Sequence, residues 1–288
     1  MTFAGFSRRQ RVLFGSRGLM TTRRAGTEEV VDDCSCAGTG REVGMLSIVI
    51  PVFNESENIQ TCLERLWDVL QDLPHELLVC YDFDEDSTIP AIGRMSAPPP
   101  SIRLVKNTLG TGVAFALRSG FQAARGDVVV STMADLSDPP SVIPAMTEKI
   151  RAGAAVVSGS RYMRGGSQCG GPWLKGQLSR AAGLSLHLIV GIGTRDITNN
   201  FRAYSKAFLE RVELESQAGF EVAIELTVKA HLMGLRVEEV PCSWHDRSAG
   251  SSRFRFWQWL PRYTRWYRLA LVGSLKQRLL GLPTYGRE

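Results

Sequence analysis

The feature that most constrains the fold is a regular alternation between short apolar runs and longer segments with helical periodicity. Leu46–Val52 is almost continuously apolar, as in a strand buried on both faces of a parallel sheet. Apolar residues then recur at helical spacing from Ile59 to Leu70, and a second apolar run follows at Glu76–Tyr81. Such alternation predicts βαβ units, and hence an α/β fold with a mostly parallel sheet and helices on both faces.

The same alternation continues toward the C-terminus. It predicts strands at Ile102–Val105, Asp127–Met133, Ala154–Ser158 and Leu235–Val240, and helices at Gly112–Ala124, Ser141–Arg151, Trp173–Val190 and Phe220–Met233. Residues 165–171 are rich in glycine, which favours a mobile loop. No internal repeat interrupts the pattern.

The two ends of the chain differ from this core. Residues 1–44 carry six arginines before the first acid, Glu28, and have no clean period. They are interpreted as a disordered extension or a start codon placed too early, since Met45 directly precedes the first strand; a targeting peptide is the alternative. We expect the main domain at residues 45–253, and a basic, aromatic helix and tail at residues 254–288.

Charge is unevenly distributed along the 288 residues. The net charge is +5, but residues 45–246 carry 18 basic and 23 acidic groups, whereas residues 247–288 carry nine basic groups and one acid. A mildly acidic body with a basic end argues against nucleic acid as a partner and favours a phosphate or a membrane surface. The aromatic and basic residues from Arg253 to Lys276 suit a membrane interface, or docking onto the domain with the arginines reaching solvent.

The compartment is inferred from cysteines and hydropathy. The six cysteines form no C-x-x-C pair and no zinc pattern, which favours a reducing, cytoplasmic setting. No stretch reaches the ~18 uncharged apolar residues of a membrane span. Attachment would then be peripheral, on the cytoplasmic face of a membrane.

Chemically useful side chains follow the predicted strands. They are Pro51, Phe53, Asn54 and Glu55 after the first strand, Asp82, Asp84, Glu85 and Asp86 after the second, Asp135 and Asp138 after the fourth, and Arg161 after the fifth. Ligands of open parallel sheets bind beyond these carboxyl ends. Converging acids repel each other unless a cation joins them, so a hard divalent metal that carries a diphosphate is expected. Alternatively, acids such as Asp84 and Glu85 only cap helices and face water.

These segments resemble a known family. Ile50–Glu55 is similar to the opening signature of family 2 glycosyltransferases, in their dolichyl-phosphate mannosyltransferase-like, polyprenyl-phosphate branch. The agreement continues in order through residues 82–88, 109–127, 133–140, 159–162, 196–202, Glu225 and 247–253, and so covers about residues 46–255. A lone P-x-x-N-E is weak, whereas this series of blocks in the right order is specific.

The resemblance implies a GT-A-type nucleotide-diphosphosugar transferase fold and assigns roles residue by residue. Pro51, Phe53, Asn54 and Glu55 would line the nucleotide-sugar pocket, Asp82 would hold the base or ribose, Asp135 would bind Mg²⁺ or Mn²⁺, Arg161 and Ser179 would hold phosphates, and Arg247 and Arg253 would grip the acceptor phosphate. The implied activity is inverting transfer of a sugar from a nucleotide-sugar donor to a lipid-phosphate acceptor.

Three departures from the family pattern weaken or alter the expected metal site. Met133 stands where the family has the first carboxylate of D-x-D, and a thioether is a poor ligand for Mg²⁺ or Mn²⁺. Ser137 replaces the family's glutamine, and Tyr81 replaces the first Asp of the aspartate loop. Asp138 is a candidate substitute ligand.

Two other functions stay open on the sequence. One is transfer to a soluble or glycan hydroxyl, which needs a base such as Asp135, Asp138 or Asp246; the other is nucleotide-sugar binding without catalysis. A phosphate acceptor needs no strong base, because its second pKa lies near ~6. His245, beside Asp246 and Arg247, is the one histidine worth a test.

Overall fold

The computed structural model describes residues 44–217, 219–246 and 256–281, with no side chains described for residues 256–260. The strands are β1 Leu46–Pro51, β2 His75–Tyr81, β3 Ile102–Lys106, β4 Val128–Ser131, β5 Val156–Ser160, β6 Ser167–Cys169, β7 Arg202–Ser205, β8 Val237–Pro241 and β9 Ser243–His245. The helices are α1 Ile59–Leu70, α2 Thr88–Gly93, α3 Val113–Ala123, α4 Ile143–Arg151, α5 Trp173–Val190, α6 Lys206–Leu209, α7 Val222–Leu232 and α8 Phe256–Leu280. A short 3₁₀ turn at Pro140–Val142 precedes α4.

The main sheet has seven strands in the order β3-β2-β1-β4-β7-β5-β8. Its neighbours are parallel except at β7, which runs antiparallel to both β4 and β5. The predicted α/β class with a mostly parallel sheet is therefore confirmed. The carboxyl ends of β1, β2, β4 and β5 lie at the same edge of the sheet.

Alternation along each strand builds two apolar layers. In β1, Ile48 and Ile50 pack with α1, α2 and α4, whereas Val49 packs on the opposite face with α3 and α7. All three side chains are fully buried. Burial on both faces explains why the sequence of β1 is a continuous apolar run and has no period of two.

The glycine-rich loop was predicted wrongly. Instead of a mobile loop, residues 165–171 contain β6, which pairs in parallel with β9 in a separate two-stranded sheet. Gly170 and Gly171 lie at φ of 84° and 77°, a region that favours glycine, so they bend the chain just after the strand. The partner strand is distant in sequence, and local composition gave no sign of it.

The C-terminal helix α8 packs against α5 and α7 in a third apolar cluster. Trp266 and Ala270 face inward and are buried, whereas Arg265, Arg268 and Leu275 are exposed. One face of the aromatic-basic segment thus docks onto the domain, as one of the two interpretations expected. Across the described ranges, no helix combines the length and the hydropathy that crossing a bilayer requires.

Candidate active site

Two loops at the carboxyl edge of the sheet hold each other. Asn54, at the end of β1, has a left-handed backbone (φ 55°), which asparagine tolerates better than most residues. Its N–H donates to Asp86 Oδ1 (3.0 Å), and its Oδ1 accepts from the Ser87 N–H (3.1 Å). The Glu55 N–H donates to Thr88 Oγ1 (2.9 Å). The segment after β1 is therefore fixed by the segment after β2.

An aromatic pair lies on these loops, with one ring exposed and the other half-buried. The Phe53 ring meets Phe83 edge to face, with centroids 5.3 Å apart, and Phe53 is 41% exposed. Pro51 beside it is buried as the last residue of β1. An exposed ring on an ordered loop offers a flat apolar surface of the kind on which a base can stack.

Asp82 is engaged by the protein itself. Its Oδ1 accepts from Asn107 Nδ2 (2.7 Å) and its Oδ2 from the Gly112 N–H (2.7 Å). Gly112 lies at φ 105°, a conformation strained for any other residue, so Asp82 fixes the turn that starts α3. Each carboxylate oxygen can accept a second hydrogen bond, so these two bonds leave Asp82 able to accept from a ligand. Binding of the base or ribose by Asp82 remains a prediction.

Asp135 is held in a tight turn after β4. Its Oδ1 accepts from both the N–H (3.1 Å) and the Oγ (2.7 Å) of Ser137. Between them Leu136 adopts φ 56°, which costs a non-glycine residue about 1–2 kcal/mol. Strain of this kind persists where the surroundings impose it, and it is concentrated at functional sites.

Asp135 and Glu55 act on the same buried group. Burial and then the negative charges of Asp135 and Glu55 raise the pKa of the Cys62 thiol to about 12. Cys62 lies on α1 with 1% exposure, in the apolar cluster that α1 shares with β1. Two of the predicted site carboxylates, from loops after β1 and β4, therefore lie close enough to share an electrostatic environment.

Asp138 faces inward. Its Oδ1 accepts from Asn199 Nδ2 (2.9 Å) and from the Cys242 thiol (3.3 Å), and the residue is 5% exposed. Burial raises its pKa to about 6, although the hydrogen bond from Asn199 and the charge of Arg161 oppose the rise. Asp138 is thus a buried carboxyl near Asp135, and its role as a substitute ligand stays a prediction.

The carboxylates at this edge of the sheet can be compared with the ligands that Mg²⁺ requires. The part of the chain that the structure describes contains no group of three or more His, Cys, Asp or Glu residues placed to hold a metal. Mg²⁺ is commonly held by one or two carboxylates together with substrate phosphates and water. Asp135 fits that pattern, whereas a cage made only of protein ligands does not fit here.

Arg161, at the end of β5, is paired with a buried acid. Its Nε donates to Asp196 Oδ2 (2.7 Å) and its Nη2 to Asp196 Oδ1 (2.9 Å), a bidentate geometry. Burial disfavours the charged guanidinium, but Asp196 outweighs it and keeps the pKa of Arg161 above its usual value. Burial likewise opposes ionisation of Asp196, and Arg161 holds its pKa below the usual value.

Hydroxyl groups surround the guanidinium. Arg161 Nη2 also donates to Thr198 Oγ1 (2.9 Å) and to Ser179 Oγ (3.3 Å). Tyr162 donates from its hydroxyl to Ser179 Oγ (3.0 Å), and its ring lies 4.9 Å from the guanidinium carbon. Ser179 is carried by α5, so this helix contacts the site directly.

Several residues of the site escaped the sequence analysis. Asn107, Thr198 and Asn199 bind Asp82, Arg161 and Asp138, and no local pattern gave them a role. Asp196, Thr198 and Asn199 all fell inside the matched segment 196–202, which was a usable signal, whereas Asn107 fell outside every matched segment. The partnerships themselves join residues 35 and 61 positions apart.

The predicted acceptor residues Arg247 and Arg253 lie outside the described residues. The described chain before them ends beside the site. The His245 N–H donates to the Ser137 carbonyl (2.9 Å), and the Asp246 N–H donates to the Cys169 carbonyl (2.9 Å). The turn that holds Asp135 is therefore tied to β9.

Sheet order, strand-end loops and the Asp135 turn together define a GT-A-type α/β fold. The known structures agree: glucosyl-3-phosphoglycerate synthase from Mycobacterium tuberculosis, solved with Mn²⁺, UDP and phosphoglyceric acid, matches with a TM-score of 0.57. The match is 21% identical and covers 80% of this chain and 78% of the other, so it speaks for the fold alone.

The family model described as glycosyl transferase family 2 matches residues 47–213, and the chain belongs to that family. It is 33% identical over 213 residues to dolichol-phosphate mannosyltransferase from Pyrococcus furiosus, covering 73% of this chain and 59% of that relative. Polyprenol monophosphomannose synthase of Mycolicibacterium smegmatis is 31% identical, over 72% of this chain and 79% of its own. Undecaprenyl-phosphate mannosyltransferase of Micrococcus luteus is 30% identical, over 80% of this chain and 97% of that relative.

These relatives confirm the resemblance to the polyprenyl-phosphate branch, and the chain is a family 2 glycosyltransferase. The chain spans less than two thirds of the Pyrococcus relative, so the donor, the acceptor and the metal are matters for proposal.

Proposed function

We propose that this chain is an inverting glycosyltransferase that moves a sugar from a nucleotide-diphosphate donor to a polyprenyl phosphate. The observation that supports it most is the grouping of Glu55, Asp135 and the Arg161–Asp196 pair around one sheet edge. Three relatives of this chain are named for transfer of mannose to dolichol, polyprenol or undecaprenyl phosphates, which favours a mannose-carrying donor.

The nucleophile in this proposal is the acceptor phosphate. With a second pKa near ~6 it is already a dianion at neutral pH, so it attacks the anomeric carbon without a strong general base. Displacement from the face opposite the leaving diphosphate inverts that carbon. This agrees with a site whose carboxyls are already engaged: Asp82 by Asn107 and Gly112, and Asp138 by Asn199 and Cys242.

Asp196 sets what Arg161 contributes. Because the buried carboxylate balances the guanidinium charge, Arg161 acts less as a free cation than as a rigid donor of directed hydrogen bonds. Ser179 and Thr198, which contact the same guanidinium, extend that polar surface. In the proposal these groups orient the diphosphate of the donor.

Asp135 would hold a divalent cation together with the donor. Mg²⁺ or Mn²⁺ bound there supplies positive charge against the leaving diphosphate. Asp135 comes without the family's first carboxylate and glutamine, which are Met133 and Ser137 here. We therefore infer that metal affinity is weak until the donor binds, with Asp138 and Glu55 as further carboxyls nearby.

Contact with a membrane surface completes the proposal. The acceptor is a membrane lipid, and α8 carries five basic residues and no acid. Basic residues and exposed apolar side chains such as Leu275 and Leu279 on one helix favour the interfacial region of a bilayer. We infer a cytoplasmic enzyme that binds the membrane face peripherally through α8.

The test is sugar transfer into the organic phase. Purified chain receives labelled GDP-mannose or UDP-glucose, a short polyprenyl phosphate and Mn²⁺ or Mg²⁺, and the lipid product is extracted and counted. Asp135→Asn should lose at least ~100-fold in rate, the loss typical of a removed electrostatic group. Asp84→Asn is the matched control, because Asp84 is an exposed acid of a neighbouring loop, ion-paired to Lys106.

Transfer by wild type and by Asp84→Asn, lost in Asp135→Asn, supports the proposal. Product with a soluble sugar alcohol but none with the lipid phosphate would replace it by a hydroxyl acceptor. Donor binding without turnover on any acceptor would instead point to a binding protein.

A further inference from the structure

Two side chains near the start of β7 and the end of β5 carry buried polar atoms that have no partner. Among the described residues, Asn200 Nδ2 and Ser160 Oγ are shielded from solvent, and neither atom takes part in a hydrogen bond. A buried polar group in this state lowers the stability of the fold, because folding removes its hydrogen bonds to water without replacing them. Such a group becomes useful where a ligand supplies the missing partner.

Asn200 lies between the ends of β4 and β5. The Ser131 hydroxyl, at the end of β4, donates to the Asn200 carbonyl (2.5 Å), and the Gly159 N–H of β5 donates to the carbonyl of the next residue, Phe201 (2.9 Å). β7 begins at Arg202 and pairs with both of these strands. Since neighbouring strands lie about 4.8 Å apart, Asn200 is about one strand spacing from each of them.

This position lies next to the groups proposed to hold the donor. Asp135 follows β4 and Arg161 follows β5, and the strand order β1-β4-β7-β5 puts Asn200 between them. The aromatic pair proposed for the base lies on the loops after β1 and β2, on the other side of β4. A donor whose base lies near β1 and β2, and whose diphosphate lies at the end of β4, therefore directs its sugar toward the start of β7.

Asn200 and Ser160 differ in their access to a ligand. Asn200 is 7% exposed, whereas Ser160 is completely buried. A side chain enclosed on all sides cannot touch a ligand, but one at the boundary of the site can. The carboxamide also suits a sugar, because it offers two N–H donors and a carbonyl acceptor, and a hydroxyl group can both donate and accept.

Within the described ranges, the hydrogen bonds that hold this segment do not include the Asn200 amide nitrogen. Ser131 binds the backbone carbonyl of Asn200, and the neighbouring Asn199 donates from its side chain to Asp138 (2.9 Å) and to the Gly159 carbonyl (3.1 Å). Removal of the Asn200 amide should therefore leave the protein as stable as wild type, or more stable.

We propose that Asn200 is a specificity-determining residue whose side-chain amide forms a hydrogen bond with a hydroxyl group of the donor's sugar. The inference rests on the proposed use of a nucleotide-sugar donor, and it names a group that distinguishes a hexose from its deoxy analogue. A site built around such a bond rejects the analogue, because the buried amide is then left without a partner.

The experiment measures binding to the full chain by calorimetry, with Mn²⁺ and without an acceptor. Each variant is titrated with GDP-mannose and GDP, and with UDP-glucose and UDP, so that the ratio of donor affinity to diphosphate affinity reports the contribution of the sugar. Asn200→Ala should lower this ratio about tenfold, the equivalent of one hydrogen bond, and leave the diphosphate affinity unchanged. Ser160→Ala is the matched control, because it removes the other unpartnered atom from a fully buried position, and its ratio should equal that of wild type.

Donors that lack one sugar hydroxyl identify the bonded group. One of them should bind to wild type about tenfold more weakly than the parent donor, whereas Asn200→Ala should bind both equally. An unchanged ratio in Asn200→Ala, an equal loss of donor and diphosphate affinity, or an equally lowered ratio in Ser160→Ala would overturn the sugar contact alone. A wild type that binds neither the donors nor the diphosphates would contradict the proposed function, and this inference with it.

Discussion

Asp135 is the residue on which the proposed chemistry depends most. It is held by Ser137 within a strained turn, and the family's neighbouring carboxylate is replaced by Met133. A single carboxylate binds a divalent cation only weakly until the diphosphate of the donor supplies further oxygen ligands. Metal binding and donor binding should therefore be strongly coupled in this chain.

Restoring the missing carboxylate tests that coupling. Met133→Asp adds a hard oxygen ligand two residues before Asp135, so Mn²⁺ should bind at least ~10-fold tighter to the free protein, as expected for one added charged ligand. Calorimetry without nucleotide measures this directly. Unchanged or weaker Mn²⁺ binding would mean that the pocket around Met133 has been rebuilt and uses other ligands.

The raised pKa of Asp138 should make the stability of the fold depend on pH. Its pKa is about 6 in the folded protein, raised by burial from an ordinary value near 3.8, so the folded state binds more protons than the unfolded state between these values. The free energy of unfolding should fall by about 2–3 kcal/mol as the pH rises from about 4 to above 6.

The check is denaturant unfolding at several pH values with a chelator present, in wild type and in Asp138→Asn. Asparagine cannot ionise, so the fall attributable to Asp138 should vanish in the variant. A wild-type minus variant difference that stays constant with pH would show that the carboxyl titrates normally.

At the scale of elements, α8 is attached to α7 through a buried ionic cluster. Lys229 of α7 is fully buried and pairs with Glu225 (2.6 Å) and with Glu215 (2.8 Å). Its ammonium lies 5.0 Å from the centre of the Trp266 ring of α8. A buried charge needs all of its partners, so the aromatic ring is part of what makes this lysine tolerable.

Removing that ring should loosen α8. We expect Trp266→Ala to lower the free energy of unfolding by about 3–5 kcal/mol through the cavity and the lost cation–π contact. Leu275→Ala on the exposed side of α8 should stay within about 0.5 kcal/mol of wild type. Urea unfolding compares the two, and equal losses would contradict the inward orientation of Trp266.

Hydrophobic periodicity predicted most of the elements, because β1 to β5 are short apolar runs that neighbouring residues in the sequence already reveal. It missed β7, whose Arg202 is fully buried. That charge is tolerated because its guanidinium donates to the carbonyls of Asn199 and Asp196 and to Thr227, and no local pattern reveals these partners. A hydropathy pattern cannot identify a short strand whose buried residues include an arginine.

The site likewise divides into residues that the sequence predicted and contacts that only the structure reveals. The strand-end rule put Glu55, Asp135 and Arg161 in one region from the sequence alone. The pairing of Arg161 with Asp196 and the contact of Cys242 with Asp138, 104 positions apart, depend on how the strands cross. Those long-range contacts decide which groups carry free charge, and spacing along the chain does not report them.

At the scale of the whole molecule, an acidic catalytic body is followed by a basic end. Arg247 and Arg253 are the first two basic residues of that end, and both lie outside the described residues. We predict that Arg247→Ala lowers transfer to a polyprenyl phosphate at least ~100-fold, because a bidentate bond to the acceptor phosphate is lost. Nucleotide-sugar affinity, measured by titration of the same variant, should change less than ~2-fold; full transfer activity would remove this role.

The central claim is that the acceptor's phosphate is the nucleophile. The most direct measurement compares two acceptors of the same chain length, a polyprenyl phosphate and the corresponding polyprenol, with the same labelled donor and metal. The account predicts sugar transfer to the phosphate with inversion at the anomeric carbon, and no measurable transfer to the alcohol. Equal rates on both acceptors, or transfer to the alcohol alone, would contradict it.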